Sequence, residues 1–391
     1  MRAAIRALCH DGSTFSFTPR DYLAAVDSQV AIPVGCFPIA TGFPFLHKRC
    51  PMKFLSTAII AISFSAIAAE DSITYEPKDG PGKGKHIVLI AGDEEYRSEE
   101  ALPMLGKILS QRHGFKCTVL FSVDADGTIN PNNGASLSNS AALDSADAIV
   151  TSLRFRKWSD EDAKHFADAI ARGVPVVGLR TSTHSFQFPG TSAFKELNSF
   201  GKKALGEQWV SHWGAHKSQA TRGVIEPSAK GEAILRGVSD VFGTSDVYEA
   251  YPPADAKILI RGVVLKGMTP TDEPADYKKK RANDKMEQGV NDPAMPVAWT
   301  RIHKNEAGKE NKMVCTTMGA ASDLPNEGLR RLVVNGVYWG LGMEVPEKAN
   351  VEFVDPFNPT MYGFGSFRKG LKASDHALGK ELPAGASQEK K

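Results

Sequence analysis

Asp93, Glu94, Glu95, Tyr96 and Arg97 follow one another directly after an apolar run. Carboxylates in such a loop can do acid–base work or hold sugar hydroxyls. Glu94 reads as the catalytic member, with Asp93, Tyr96 and Arg97 as substrate contacts. Histidine supplies a second group. His184, His212 and His216 all come after a second apolar run, at residues 175–179. Imidazoles suit general acid–base catalysis, hydrogen bonds to a sugar, or a divalent ion such as zinc with an open coordination position. His184 and His216 are the expected catalytic histidines, and His184, His212 and His216 the candidate metal set. Gly214 and the nearby tryptophans disfavour a helix there, so the four-residue spacing of His212 and His216 has no force alone. The cofactor stays undetermined, with a divalent metal as the candidate.

Two further groups complete the chemistry. Arg154, Arg156 and Arg180 would suit an anion, a keto oxygen or buried carboxylates. Arg154 and Arg180 are taken as substrate contacts; the competing expectation is that Arg180 pairs with Glu94 or Glu95 and braces the loops. Trp158, Trp209, Trp213 and Tyr251 could stack on a sugar ring, and Trp213 is favoured. Trp299 and Trp339 fall in core patterns.

Residues 86–91, 116–121, 147–152 and 175–179 are apolar runs of the kind covered on both faces of a parallel sheet. Helices are expected between them, one from Ser98 to about Gly114 and one from a Ser159 cap to about Gly173. The order argues for an α/β fold with a doubly wound, mostly parallel sheet and helices on both faces. In such folds ligands bind in loops at the carboxyl edge of the strands, which is where the 93–97 loop, Arg154 and Arg156, and the turn from Arg180 to His184 fall. The long polar loop at 122–143 implies a purpose. Strands are expected at 257–265, 295–301 and 312–317, and a closing helix at 327–342.

This pattern resembles the ThuA-like family, named for trehalose utilisation, in the versions found in exported proteins of planctomycete-type bacteria. The resemblance covers residues 86–345. It rests on the loop from Gly92 to Arg97, the turn from Arg180 to His184, and the run from His212 to His216. Residues 296–301, the Thr317, Met318, Gly319 turn and Trp339 add to it. It implies a flavodoxin-like, class I glutamine amidotransferase-like architecture and a role in sugar metabolism, including keto-glycosides. That scaffold would place a cysteine nucleophile where Arg180 stands, so glutamine amidotransferase chemistry is excluded. Ala320 stands where many relatives have histidine.

The chain has 391 residues, 42% hydrophobic and 24% charged, with a formal net charge of +2. That balance gives no electrostatic case for nucleic acid. The basic run 278–281 is flanked by acids and reads as a solvated loop. Residues 52–69 have the basic start, apolar stretch and small-residue end of a signal peptide, cleaved near Ala68 or Ala69. They imply an exported, periplasmic or extracellular protein with no stable membrane span. Residues 1–51 then read as a misassigned start or a non-structural extension. Residues 70–85 read as a linker and 346–391 as an extended tail. Cys117 and Cys315 are expected as buried free thiols. The expected partner is a small-molecule carbohydrate, with self-association left open. The expected function is a sugar-processing enzyme without a cysteine nucleophile. The alternatives are a non-catalytic sugar-binding or partner protein and a metal-dependent hydrolase.

Overall fold

The computed structural model describes residues 71–382. The expectations for residues 1–51, for the signal peptide and for residues 383–391 lie outside the described residues.

Four apolar runs become the parallel strands β2 (His86–Gly92), β3 (Lys116–Phe121), β4 (Ala148–Leu153) and β5 (Val176–Leu179), after a short β1 (Ile73–Tyr75). Between them lie α1 (Ser98–His113) and α2 (Asp160–Ala171). Gly114 closes α1 at φ 76°, where its amide reaches the Leu109 and Ser110 carbonyls. A glycine adopts that left-handed geometry without the Cβ penalty. Ser159 caps α2 by accepting from the Asp162 amide, and Asp160, Glu161 and Asp162 put negative charge on its first turn.

Beyond β5 the chain forms β6 (Ser211–His212), β7 (Thr221–Ile225), β8 (Phe242–Gly243), β9 (Tyr248–Glu249) and β10 (Lys257–Val264). Then come β11 (Lys278–Lys280), β12 (Glu287–Gly289), β13 (Met295–Lys304), β14 (Glu310–Thr316) and α3 (Glu327–Leu341). Asn326 caps α3 and Gly342 ends it.

The main sheet has ten strands in the order β1-β3-β2-β4-β5-β14-β13-β10-β7-β8. Its centre, β3-β2-β4-β5-β14, is parallel. Strands β13, β10, β7 and β8 continue it antiparallel on one side, and β1 adds an antiparallel edge on the other. One face buries Leu102, Leu105 and Ile108 of α1 with Leu332, Val333 and Val337 of α3. The opposite face buries Phe166 of α2 with Trp158, Phe186 and Phe200. This is an α/β fold with helices on both faces of a parallel core, as expected. Cys117 and Cys315 are buried free thiols. No helix among the described residues is long and apolar enough to cross a membrane.

Three sequence expectations need correction. The segment read as a linker supplies β1, whose three residues pair with Cys117, Thr118 and Val119. The tail is irregular yet packed: Val351, Tyr362, Leu371 and His376 are buried. It returns over the carboxyl edge of the sheet, and Lys372 bridges the long loop at Thr128. The basic run is a hairpin strand rather than a solvated loop. Lys279 donates to the His212 and Trp213 carbonyls at 2.6 and 3.1 Å.

Candidate functional site

The loops after β2, β4, β5 and β14 meet at one edge because their strands are parallel neighbours. Arg180 opens the turn after β5 with φ 44°, a left-handed conformation that is unfavourable for a side chain of this size. Its contacts hold it there. The side chain is fully buried. It donates to the Asp246 and Thr317 carbonyls at 2.6 and 2.7 Å and to Asp246 Oδ1 at 2.9 Å. Its guanidinium lies between the rings of Tyr248 and Tyr96, 3.6 and 4.5 Å from their centroids. Arg180 therefore braces the site and is sealed from substrate. Its carboxylate partner is Asp246, not Glu94 or Glu95.

Asp246 is the organising acid. Its Oδ2 accepts from His212 Nδ1 at 2.8 Å, and its Oδ1 accepts from His216 Nδ1 at 3.0 Å. Burial pushes its pKa up, but Arg180 and the two imidazoles outweigh that and hold it well below the usual carboxylate range. His216 Nε2 faces Glu95 Oε1 at 3.1 Å. With a carboxylate on each ring nitrogen, both nitrogens must donate, so His216 is an imidazolium. Hydrogen bonds to Asp246 and Glu95 raise its pKa to about 9. His184 is the opposite case. Burial, reinforced by the Arg154 and Arg180 charges, lowers its pKa to about 3, so it is neutral.

Glu95, Arg154, His184, His212 and His216 line a cleft of about 200 Å³ whose remaining walls are Phe155, Trp209, Tyr248 and Phe364. Trp209 is 36% exposed and Phe364 is 59% exposed. The ring of His184 lies 4.9 Å from Phe155 and 5.5 Å from Trp209. The Arg154 guanidinium stands 5.0 Å from the Phe364 ring. A small cleft with aromatic faces and polar edges suits a single sugar ring.

The structure brings His184, His212, His216 and Arg154 together and reassigns the others. Asp93 is fully buried and takes the Glu95 and Tyr96 amides at 2.7 and 2.9 Å, with the Thr181 hydroxyl. It shapes the turn and cannot meet substrate. Tyr96 is buried under Arg180 and Tyr362. Arg97 is buried with φ 60° and donates to the Gly363 carbonyl and the Ser366 hydroxyl. Glu94 binds Arg154 with one oxygen and Arg156, at 2.8 Å, with the other. Burial and Asp93 raise its pKa while the two arginines oppose them. Glu94 thus positions the arginines, and the catalytic expectation passes to its neighbour Glu95.

Trp213 is fully buried and donates to the Val290 carbonyl at 2.8 Å, so it cannot stack on a ligand. Trp158 sits in the aromatic core with Phe166 and Phe186. Tyr251 spends its hydroxyl on Glu249. Trp209 is the tryptophan that faces the cleft. Asp246, Tyr248, Phe155 and Phe364 carried no sequence signal as site residues.

The donor atoms that converge are those of His212, His216 and Asp246, within 4.8 Å of one another; His184 is outside this set. The Arg180 guanidinium already neutralises Asp246. A dication there would share its carboxylate with that fixed positive charge. The group is thus charge-compensated as a proton-holding cluster.

No protein-family model matches the chain, and no curated protein matches it by sequence. Among solved structures the chain is similar to a ThuA-like protein from Parabacteroides merdae. The identity is 15% and the TM-score 0.44, over 68% of this chain and 92% of that one. It is also similar to a ThuA-like protein from Bacteroides uniformis, at 11% identity and a TM-score of 0.39, over 68% of this chain and 94% of that one.

Proposed function

We propose that the protein is a carbohydrate-processing enzyme that binds one sugar ring in the Trp209–Phe364 cleft and acts on an oxidised, keto-type glycoside. The observation that carries this reading is the His216 ring held between the Glu95 and Asp246 carboxylates at a cleft that Arg154, His184 and Trp209 also line. An imidazolium beside a carboxylate in one cleft supplies an acid and a base. The His216 imidazolium and the Arg154 guanidinium supply positive charge for an oxygen that becomes anionic when a proton leaves the carbon next to a carbonyl. Glu95 is the carboxylate in place to take that proton. His216, held between Glu95 and Asp246, is the acid that returns one to a departing alkoxide. Neutral His184 orients ring hydroxyls. Trp209 and Phe364 cover the apolar ring faces. The ThuA-like resemblance agrees with sugar metabolism, and a signal peptide at residues 52–69 would place the activity outside the cytoplasm.

The test incubates the full chain with trehalose and with its 3-keto derivative, with and without a chelator, and reads products by mass spectrometry. We expect turnover of the keto sugar alone, unchanged by chelator. Loss of turnover with chelator would put a metal at His212, His216 and Asp246. No turnover of either sugar by folded protein would move the reading to a non-catalytic sugar-binding protein.

A further inference from the structure

His212 stands apart from the Glu95–His216 pair. Its Nδ1 donates to Asp246 Oδ2 at 2.8 Å. Its Nε2 is open to solvent, and no group among the described residues bonds it. The ring is held from three sides. Asp246 fixes one nitrogen, and the rings of Trp209 and Tyr248 meet it edge-on, with centroids 5.7 and 5.5 Å away. The backbone is fixed as well, by pairing with Tyr248 and by Lys279 on the His212 carbonyl at 2.6 Å. His212 lines the cleft and is its most open histidine. The exposed share of its side chain is 37%, against 27% for His216, and His184 is buried.

This is the arrangement of a base with a fixed tautomer. A carboxylate on Nδ1 keeps the proton there, which leaves the lone pair of the neutral ring on Nε2, on the cleft side. An acid that orients a histidine in this way prepares it to take a proton at its other nitrogen. The remaining groups of the cleft are occupied. Glu95 faces the His216 ring, and His216 holds its two protons between two carboxylates. His184 is buried and turns Nδ1 to Thr183 Oγ1 at 3.2 Å. His212 is thus the free base of the cleft, and water reaches it.

We infer that the Asp246–His212 pair is a water-activating base, which turns the elimination at this cleft into a hydrolysis. This rests on the keto-glycoside reading. In the first half, Glu95 takes the proton from the carbon next to the carbonyl, the bond to the glycosidic oxygen breaks, and His216 protonates the departing alkoxide. An unsaturated ketone remains. In the second half, His212 Nε2 removes a proton from water. The water oxygen bonds to the carbon that lost the alkoxide, the double-bond pair moves onto the carbonyl oxygen, and Glu95 returns its proton to the neighbouring carbon as the carbonyl re-forms. The proton on His212 then passes to His216, whose ring lies 4.6 Å away on the other Asp246 oxygen. Every group regains its starting state. The sum is a keto-glycoside and water giving a keto sugar and an alcohol.

The experiment incubates the full chain with the 3-keto derivative of trehalose and follows both products by mass spectrometry, for the parent, His212→Asn and His212→Ala. His212→Asn keeps an N–H donor for Asp246 and removes the base. The parent should release glucose and the saturated keto sugar in equal amounts. Both variants should release glucose together with an unsaturated ketone lighter by one water. They should form the saturated sugar about 10²- to 10⁴-fold more slowly, the effect of a lost general base. Added imidazole should restore the saturated product in His212→Ala, a response that a structural role would not show. If His212→Asn gives the saturated sugar at the parent's rate, or the parent itself stops at the unsaturated ketone, the water-activating role is wrong and the cleft reading stands. The role is equally wrong if both variants slow the two products alike and imidazole restores nothing. If the folded parent turns over no keto sugar, both readings fall.

Discussion

The loop after β2 carries five ionisable or hydroxyl-bearing residues in a row, and four of them are consumed by the protein itself. Asp93, Tyr96 and Arg97 are sealed beneath neighbouring segments, and Glu94 is divided between two arginines. Asp246 stands alone in the loop between β8 and β9, yet it touches Arg180, His212 and His216 at once. Its two histidines still face a cleft. Density of charge along a sequence thus says little about availability. What distinguishes the regions is where each side chain ends: on another protein group, or on the wall of a cavity.

The largest effect should come from breaking the brace. Arg180→Ala leaves the Asp246 carboxylate buried with its main counter-charge gone. Removing one partner of a buried pair costs about 3–5 kcal/mol, so urea denaturation should show a loss of that order. A variant as stable as the parent would mean that Arg180 holds nothing in place. His216→Gln probes the other region. Replacing an acid–base group should lower turnover of the keto sugar by about 10²- to 10⁴-fold. His216 is only partly buried and Asp246 keeps Arg180 and His212 in the variant, so the melting temperature should move less than for Arg180→Ala. If turnover survives, His216 is not the acid of the reaction. The pH profile sharpens this. The folded His216 pKa of about 9 lies above its ordinary value, so the imidazolium and the stability it brings are fully present below about pH 6.5. Both decline as pH rises through 9.

Much of the sheet was legible because buried parallel strands are unbroken apolar runs, and because Gly114 and Ser159 mark helix ends by known backbone chemistry. The site was less legible. Asp246 belongs to no motif; it reaches the histidines because two-residue strands β6 and β9 pair, which aligns His212 with Tyr248. Strands that short leave no periodicity to read. Phe364 is in the site because the tail folds back, and that return is held by long-range contacts such as Thr360 and Arg368 on Glu100. The sequence favours Trp213 over Trp209 as the sugar platform, and the structure reverses that order, because the Trp213 ring is buried with its N–H on the Val290 carbonyl.

A smaller effect should appear at Glu99, in the first turn of α1. Both of its carboxylate oxygens are buried without a hydrogen-bond partner. Burial, only partly opposed by Arg97, raises its pKa to about 8. The fold therefore prefers the neutral acid. Its contribution is complete below the unfolded value near pH 4.3 and is lost as pH rises through 8. Glu99→Gln keeps the shape without the charge. The variant should gain a few degrees in melting temperature over the parent at pH 8–9 and little at pH 4. Equal gains at both pH values would show that Glu99 does not titrate in the fold. The alkaline decline that persists in Glu99→Gln belongs to His216, which keeps the two contributions separable.

The smallest effects test the two tryptophans against each other. Trp213→Phe keeps the ring in the core and removes one buried hydrogen-bond donor, which leaves the Val290 carbonyl unpaired at a cost of about 1–3 kcal/mol. Trehalose affinity should not change, because no face of Trp213 reaches the cleft. Trp209→Ala should do the reverse: stability within about 0.5 kcal/mol of the parent, as for a surface position, with weaker sugar binding. Calorimetric titration and denaturation of both variants give a crossed pattern if Trp209 is the sugar platform. If Trp213→Phe weakens the sugar and Trp209→Ala does not, the ligand enters elsewhere, and the cleft between the histidines and Phe364 is not its site.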